Sequence, residues 1–227
     1  MNPDRRDSGA LPPPARAGSV PTLMSMGTDS AAAWVVTLVC GASGVGKSSI
    51  AVPLARRYGV PLAEADDVVT ALKALTTPAQ LPMLHLWDTD PEVQTWTPQR
   101  VAEQSIALAE ALRPGFAAVI ADHLEFAAPV VLEGDYLLPE LATGFGGAVR
   151  AVVVSEPDED RIVANYLSRE PGEEQQRFRA TVSALLDTHL SARAARLGVP
   201  VVRARPWADS VERVDRALHA WTDPVSS

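Results

Sequence analysis

Cysteine and lysine are both scarce in this sequence, and each scarcity excludes a class of protein. The only cysteine is Cys40, so the chain can form no internal disulfide and no cluster of thiolates around a metal. A reducing cytoplasm is therefore the expected location. Lysine occurs only at Lys47 and Lys73. A guanine-specific switch protein needs an Asn-Lys-x-Asp motif to read its base, and neither lysine stands in one, so a GTPase is disfavoured.

The sequence also lacks long apolar runs and an excess of positive charge. No apolar stretch approaches the roughly 18 residues that a membrane-spanning helix needs. The formal net charge is -8, which offers no general attraction to a phosphate backbone. Neither a membrane nor a nucleic acid is therefore an expected partner, and a small molecule is. Periodicity does not reveal the oligomeric state, because a dimer face and a core face look alike.

Residues 1–31 show no periodic apolar face. They contain three consecutive prolines, Pro12 to Pro14, together with scattered glycine, serine and charged residues. This composition predicts a disordered N-terminal extension. Residues 32–227 are long enough for one ordinary domain with a substantial core.

Strands and helices are predicted to alternate through that domain. Apolar, β-branched runs predict five strands at about 34–40, 60–65, 130–135, 148–154 and 199–204. Helical spacing and capping residues predict helices at about 46–58, 98–112, 116–127, 158–169, 178–197 and 211–221. Residues 82–96 are poorly periodic and resemble a substrate-binding insertion more than a core helix. The expected fold is an α/β three-layer sandwich around a parallel sheet.

A phosphate-binding loop is the most specific motif in the sequence. Residues 41–48 match the pattern G-x-x-x-x-G-K-[ST] at every fixed position, between a predicted strand and a predicted helix. In such a loop, backbone N–H groups converge on phosphate oxygens, and the N-terminal end of the helix adds favourable potential. The predicted nucleotide-binding residues are Gly41, Ala42, Ser43, Gly44, Val45, Gly46, Lys47, Ser48 and Ser49.

The same loop predicts ATP and Mg²⁺ as ligands. Lys47 is expected to reach the β and γ phosphates, and the Ser48 hydroxyl to hold Mg²⁺. No spacing of His, Asp and Glu suggests a tightly held metal, so Mg²⁺ should arrive with the nucleotide. Arg205, after the last predicted strand, is expected to stack on the base, although a solvated arginine is the competing interpretation.

Acidic residues follow two of the predicted strands. Small-molecule kinases with such a loop place an acid after the second strand to orient the acceptor hydroxyl and take its proton, and Asp66 and Asp67 occupy that position. Asp66 is the first choice for this base, but either could instead cap a helix. Glu133 and Asp135 end another strand, where sites of open α/β sheets gather. They are candidates for Mg²⁺ and acceptor contacts, with capping of the next turn as the alternative.

Two further groups of residues are weaker candidates. Arg161 and Arg169 share one face of a predicted helix and could meet the charge that develops on a transferring phosphoryl group. His85 and Trp87 lie in the irregular segment 82–96 and are candidates for substrate contact. Either could instead pack against the sheet or lie exposed.

Taken together, these motifs resemble the nucleoside-monophosphate-kinase-like group of P-loop kinases. The run Leu-Glu-Gly-x-x-Leu-x-Pro at residues 132–139 is similar to one in 2-phosphoglycerate kinases, but Asp135 departs from their pattern, so their substrate is not carried over. The resemblance implies a P-loop NTPase fold with a five-stranded sheet of order 2-3-1-4-5. It also implies MgATP as donor, an acceptor region at about 68–127 and a helical lid at about 156–180.

The expected function is ATP-dependent transfer of the γ-phosphate to a small molecule. Two alternatives stay open on the sequence. One is a nucleotide or nucleoside kinase, which would need a second pocket for a base. The other is a regulatory protein that binds ATP without transferring phosphate.

Overall fold

A five-stranded sheet organises the computed structural model, which describes residues 33–171 and 176–221. The strands are β1 (Val36–Cys40), β2 (Leu62–Glu64), β3 (Val130–Gly134), β4 (Val149–Ser155) and β5 (Val201–Arg203). All neighbouring pairs are parallel, and the spatial order is β2-β3-β1-β4-β5. The predicted order is therefore confirmed.

Seven α-helices surround the sheet in the described part of the chain. They are α1 (Ser48–Tyr58), α2 (Ala65–Leu75), α3 (Pro82–Thr89), α4 (Pro98–Glu125), α5 (Glu159–Arg169), α6 (Gln176–Leu197) and α7 (Ser210–Ala220). Helices α1 and α7 pack on one face of the sheet, and α4 and α6 pack on the other. The molecule is thus a three-layer α/β sandwich, as predicted.

The central strand β1 is apolar on both of its faces. Leu38 and Cys40 point into the core beneath α4 and α6, whereas Val39 points into the core beneath α1 and α7. A strand that is covered on both sides has a continuous apolar sequence, and this pattern is what predicted β1. Burial raises the pKa of the Cys40 thiol to about 12, so this cysteine is an inert core residue.

Helix α4 corrects the prediction of two helices at 98–112 and 116–127. It begins at Pro98, where the Thr97 hydroxyl accepts a hydrogen bond from the Arg100 amide at 3.3 Å, and it continues through Pro114 to Glu125. An internal proline costs about 3 kcal/mol. The buried side chains Leu112, Phe116 and Ile120 lie on both sides of the proline and offset that cost by packing on the sheet.

Two further corrections concern the region after β2. Residues 82–96 are not an irregular insertion, because they form α3 and a 3₁₀-helix at Pro91–Thr95. Helix α2 was not predicted, and the second strand ends at Glu64 because α2 begins at Ala65. Both helices are short and bury few side chains, Leu84 and His85 in α3 and Ala65 and Val69 in α2. The first turns of α2 are rich in Asp, Val and Thr, residue types of low helix propensity, which conceals this helix in the sequence.

The outer boundaries of the predicted domain stay predictions. The expected disordered extension, residues 1–31, lies outside the described residues. The proposed lid at about 156–180 coincides with α5 and the first turn of α6 where the structure describes it. In residues 33–171 and 176–221 no helix is both long and apolar enough to cross a membrane.

Candidate active site

The glycine-rich loop connects β1 to α1 and requires glycine for steric reasons. Gly46 has φ +98°, and a Cβ placed there would lie 2.2 Å from the Trp207 ring. Gly44 has φ +73°, and a Cβ placed there would lie 2.8 Å from the Tyr166 ring. Only residues without a side chain allow the loop to turn this tightly while neighbouring rings cover it.

Lys47 is buried at the start of α1, with 7% of its surface exposed. Its Nζ donates to the Ala42 carbonyl at 2.9 Å and also forms an ion pair with the Asp135 carboxylate. A buried ammonium is stable only when it is paired and hydrogen-bonded. The lysine is therefore held within the curve of the loop, facing the carboxyl end of β3.

Four carboxylates gather at the same edge of the sheet. Glu64 and Glu133 are direct neighbours in the register of β2 and β3, and Asp66 and Asp135 follow these two strands. Gly134 allows the end of β3 to lie close to the start of α2, because a Cβ there would lie 2.4 Å from the Cβ of Ala65. Carboxyl ends of parallel strands meet at one edge, which places these acids opposite the loop.

Ser48 and Glu133 form a direct contact beside the loop. The Ser48 hydroxyl donates to Glu133 Oε1 at 2.6 Å, while Glu133 Oε2 is buried and has no hydrogen-bond partner among the described residues. Burial raises the pKa of Glu133, and the nearby Ser48 hydroxyl and Lys47 charge oppose that shift. An unpartnered buried oxygen calls for a ligand that satisfies it.

A hydroxyl and a carboxylate are suitable ligands for Mg²⁺ that arrives with a nucleotide. Mg²⁺ keeps several waters and takes one or two carboxylates along with the substrate phosphates. The unpartnered Oε2 of Glu133 could accept from such a water. Among the described residues, no group of three or more His, Cys, Asp or Glu is arranged to hold a metal by itself.

Asp66 lies in the first turn of α2 and lines the cavity between the loop and the four carboxylates. Partial desolvation raises the pKa of Asp66, the Asp135 charge raises it further, and the Lys47 charge lowers it. An acid with a raised pKa is a better proton acceptor once ionised. Both side chains are exposed, but Asp66 lines the cavity and Asp67 does not, so the geometry favours Asp66 of the two.

The cavity between the loop and the acids has a volume of about 360 Å³. Helix α5 closes one side of it with Asn165, Ser168 and Arg169. The Asn165 amide donates to the Gly44 carbonyl at 2.8 Å and accepts from Arg205 at 3.1 Å. The predicted lid helix thus contacts the loop directly, and its Arg169 borders the cavity.

Arg161 lies elsewhere. It is exposed and forms ion pairs with Asp158 at 3.3 Å and Glu156 at 3.7 Å, beside a shallow pocket behind the lid. The eight-residue spacing placed Arg161 and Arg169 on one helical face, but they sit at opposite ends of α5. Only Arg169 reaches the cavity, so a catalytic role for Arg161 is a prediction that this geometry does not support.

Trp207 forms the wall of the cavity next to Gly46. Arg205 does not line the cavity, but its guanidinium lies 5.0 Å from the centre of the Trp207 ring and 3.5 Å from Glu156. The aromatic ring, rather than the arginine, is therefore the group available for stacking on a base. Arg205 supports this ring from behind.

His85 and Trp87 line neither this cavity nor the apolar one described below. His85 is buried in α3, where its Nε2 lies 3.0 Å from the Thr76 hydroxyl. Trp87 packs edge-on against Trp96, with ring centres 5.6 Å apart. Both contacts hold α3 against its neighbours, and acceptor contact by either residue stays a prediction without geometric support.

Several cavity residues were not among the predicted site residues. They are Glu64, Gly134, Asn165, Ser168 and Trp207. Glu64 carried a usable signal, since it ends a strand two residues before Asp66. Asn165 lies one helical turn before Arg169 and shares its face. Trp207 follows the last strand in a turn, and nothing local in the sequence shows that it folds back over the loop.

The strand order and the loop define a P-loop α/β fold. Solved structures with a similar fold include TT1252 from Thermus thermophilus, with 16% identity, coverage of 82% of this chain and 97% of that one, and a TM-score of 0.50. A gluconokinase from Sinorhizobium meliloti has 19% identity, coverage of 82% and 91%, and a TM-score of 0.44. A shikimate kinase from Bacteroides thetaiotaomicron has 14% identity, coverage of 82% and 98%, and a TM-score of 0.43.

At these identities, the likeness concerns the fold. No family model matches the chain, and no curated protein matches it in sequence. The expected membership of the nucleoside-monophosphate-kinase-like group and the similarity to 2-phosphoglycerate kinases therefore stay predictions. The function has to be inferred from the geometry of the site.

Proposed function

We propose that the protein is an ATP-dependent kinase that transfers the γ-phosphate to a hydroxyl group of a small molecule. The observation that carries this proposal is the arrangement of Lys47, Asp66 and the Ser48–Glu133 pair around one cavity at the mouth of the loop. A protein that only binds a nucleotide needs the loop. It does not need a carboxylate with a raised pKa opposite the loop lysine.

The loop is proposed to hold the phosphates of ATP. Backbone N–H groups between Ser43 and Ser49 and the N-terminal end of α1 supply favourable potential for the anion. A triphosphate carries more negative charge than a single carboxylate, and it would compete with Asp135 for Lys47. Asp135 would then be released from its ion pair and could accept a hydrogen bond from the acceptor.

Trp207 is proposed to support the adenine base. Replacing it with Ala should weaken ATP binding about tenfold, since a base stacked on an aromatic ring gains about 1–3 kcal/mol. Trp207→Phe should restore most of the affinity. Titration calorimetry with ATP measures this loss.

Inorganic tripolyphosphate, which has no base, provides the control for Trp207. Its affinity should be the same in the wild type and in Trp207→Ala. An equal loss for both ligands would mean that the substitution disturbs the loop at Gly46 rather than a base site.

Glu133 and Ser48 are proposed to hold Mg²⁺ through the serine hydroxyl and a metal-bound water. A Mg²⁺ ion held by these residues would supply positive charge next to the phosphates. Replacing Glu133 with Gln should raise the Mg²⁺ concentration needed for half-maximal activity by about tenfold or more, which is typical when a residue behind a metal ligand is changed. The measurement is ADP release across a Mg²⁺ titration at saturating ATP.

Glu64→Gln is the matched variant, because Glu64 is the neighbour of Glu133 in the sheet and borders the same cavity. Its Mg²⁺ requirement should change less. Equal shifts in the two variants would show that the total charge of the cavity, and not the Ser48–Glu133 pair, sets the requirement.

The transfer itself needs three groups of the protein. The acceptor oxygen forms a bond to the γ-phosphorus while the bond from that phosphorus to the β,γ-bridging oxygen breaks, and ADP leaves. Asp66 takes the proton of the acceptor hydroxyl. Lys47 and Arg169 lie where they can stabilise the charge on the transferring group.

Mass spectrometry tests the proposal most directly. The protein is incubated with a metabolite extract and γ-labelled ATP, and labelled products are compared with those from heat-treated protein. A phosphorylated small molecule that appears only with active protein supports the kinase. ATP binding without any labelled product, and without ADP release, would instead favour a regulatory ATP-binding protein.

A further inference from the structure

A second cavity of about 230 Å³ adjoins the phosphate cavity. Ser43 in the loop and Asp135 after β3 line both cavities, so the two are continuous at these residues. The second cavity lies between α4 and α6.

The walls of this second cavity are mainly apolar. Helix α6 contributes a row of side chains spaced four residues apart, and α4 contributes a facing row in which two positions are small. The row on α6 is Phe178, Val182, Leu186 and Leu190, and the row on α4 is Val101, Ser105 and Ala109. Small side chains on α4 opposite large ones on α6 leave room for an apolar body.

Several polar groups in these walls have hydrogen-bond partners within the protein. The Ser105 hydroxyl donates to the Val101 carbonyl at 2.9 Å, and the Tyr166 and Ser183 hydroxyls share a hydrogen bond of 2.9 Å. Arg179 donates to Glu170 at 2.6 Å and lies over the Tyr166 ring at 4.1 Å. A polyhydroxylated molecule would face mainly apolar walls here, and an anion would have to compete with Glu170 for Arg179.

The polar end of the cavity is at its junction with the phosphate site. Asp135 and Tyr136 lie there. Burial and the nearby charges of Asp66 and Asp135 raise the pKa of Tyr136, which keeps its phenol neutral and able to donate. A single hydroxyl at the end of an apolar ligand would meet a carboxylate and a phenol at this end.

The exposure of Phe178 is a second observation that points to an apolar ligand in this cavity. It is a large apolar side chain with 38% of its surface exposed, and it stands at the wall of this cavity. A ligand with an apolar body would cover the ring and gain from removing it from water.

We propose that the phosphate acceptor is a neutral, mainly apolar molecule about the size of a substituted aromatic ring, carrying one hydroxyl at its end. The apolar body lies between α4 and α6, and the hydroxyl lies at Asp135 and points to the γ-phosphate. This proposal about the acceptor rests on the proposed kinase function. The same bond changes apply, with the hydroxyl proton passing to Asp66.

Binding and turnover are measured separately so that the two proposals can fail separately. N-phenyl-naphthylamine, a neutral fluorophore, is titrated into the protein in the presence of a non-hydrolysable ATP analogue and Mg²⁺. Phenylpropanol should displace it, whereas gluconate and shikimate should not. ADP release is then measured with phenylpropanol, gluconate and shikimate as acceptors.

Phe178→Ser and Ser105→Phe test whether the apolar ligand binds between α4 and α6. The first removes the exposed ring and the second fills the cavity, and each should weaken fluorophore binding about tenfold or more while leaving ATP affinity within about twofold. Phe126→Ser is the matched control, because Phe126 is also an exposed phenylalanine, 69% exposed, and lies away from both cavities. It should bind the fluorophore like the wild type.

The outcomes are distinct. Fluorophore binding that is absent, or unchanged in both Phe178→Ser and Ser105→Phe, would overturn the apolar acceptor. Turnover of gluconate or shikimate that exceeds that of phenylpropanol would also overturn it, while the kinase would stand. A wild type that binds ATP but labels nothing in the extract would overturn the kinase function and, with it, the acceptor.

Discussion

Replacing Asp66 with Asn should lower the turnover number by about 10²–10⁴-fold, the contribution typical of a general base. ATP affinity should change by less than about twofold, since Asn keeps the size of the side chain and the loop is untouched. The expected loss follows from the position of Asp66 at the cavity and from the desolvation and the Asp135 charge that raise its pKa. Steady-state ADP release and ATP titration measure the two quantities.

Asp67→Asn is the matched control, because Asp67 is the same residue type one position further along α2 and lies exposed outside the cavity. It should retain most of the activity. Loss of activity in Asp67→Asn with little change in Asp66→Asn would reverse the assignment. Full activity in both variants would exclude a carboxylate base from α2.

The pH profile gives an independent check on Asp66. A base acts in its deprotonated form, so kcat/KM should fall as the pH drops through the pKa of Asp66, and the raised pKa places this fall above the usual range of an aspartate. The acid limb should disappear from the residual activity of Asp66→Asn. A limb that persists unchanged belongs to another group.

Replacing Lys47 with Ala should weaken ATP binding and lower kcat together, with a loss in kcat/KM of about 10²–10³-fold or more. Removing one preorganised group that stabilises transition-state charge typically costs this much. Lys47→Met, which keeps the apolar stem of the side chain, should lose as much activity while disturbing the packing less. Both effects follow from a buried ammonium fixed inside the loop.

Lys73→Ala is the control for Lys47, because Lys73 is the only other lysine of the chain. It is exposed on α2 and pairs with Asp88 at 2.7 Å, and an exposed ion pair contributes little. Its activity and ATP affinity should match those of the wild type. Unchanged ATP affinity and activity in Lys47→Ala would contradict both nucleotide binding by this loop and the kinase.

Local patterns were sufficient for the loop and the five strands, whereas the order of the strands was implied by the family resemblance. The motif at residues 41–48 has fixed chemical requirements at fixed spacing, and the doubly covered strands leave continuous apolar runs. Patterns failed where packing outweighs local preference. Pro114 lies within α4 because the flanking side chains are buried on the sheet. Helix α2 was missed because its first turns are rich in Asp, Val and Thr residues of low helix propensity, and packing of its apolar face on the core outweighs that preference.

The sequence by itself determined the phosphate loop, the strand-helix alternation and the acids that follow two strands. Which of Asp66 and Asp67 lines the cavity, the Ser48–Glu133 contact and the placement of Trp207 over Gly46 were determined only by the tertiary structure. So was the apolar cavity between α4 and α6, whose walls lie on distant parts of the chain. Motifs record what a short segment must do, whereas a cavity depends on which segments the sheet brings together and on how much space their side chains leave.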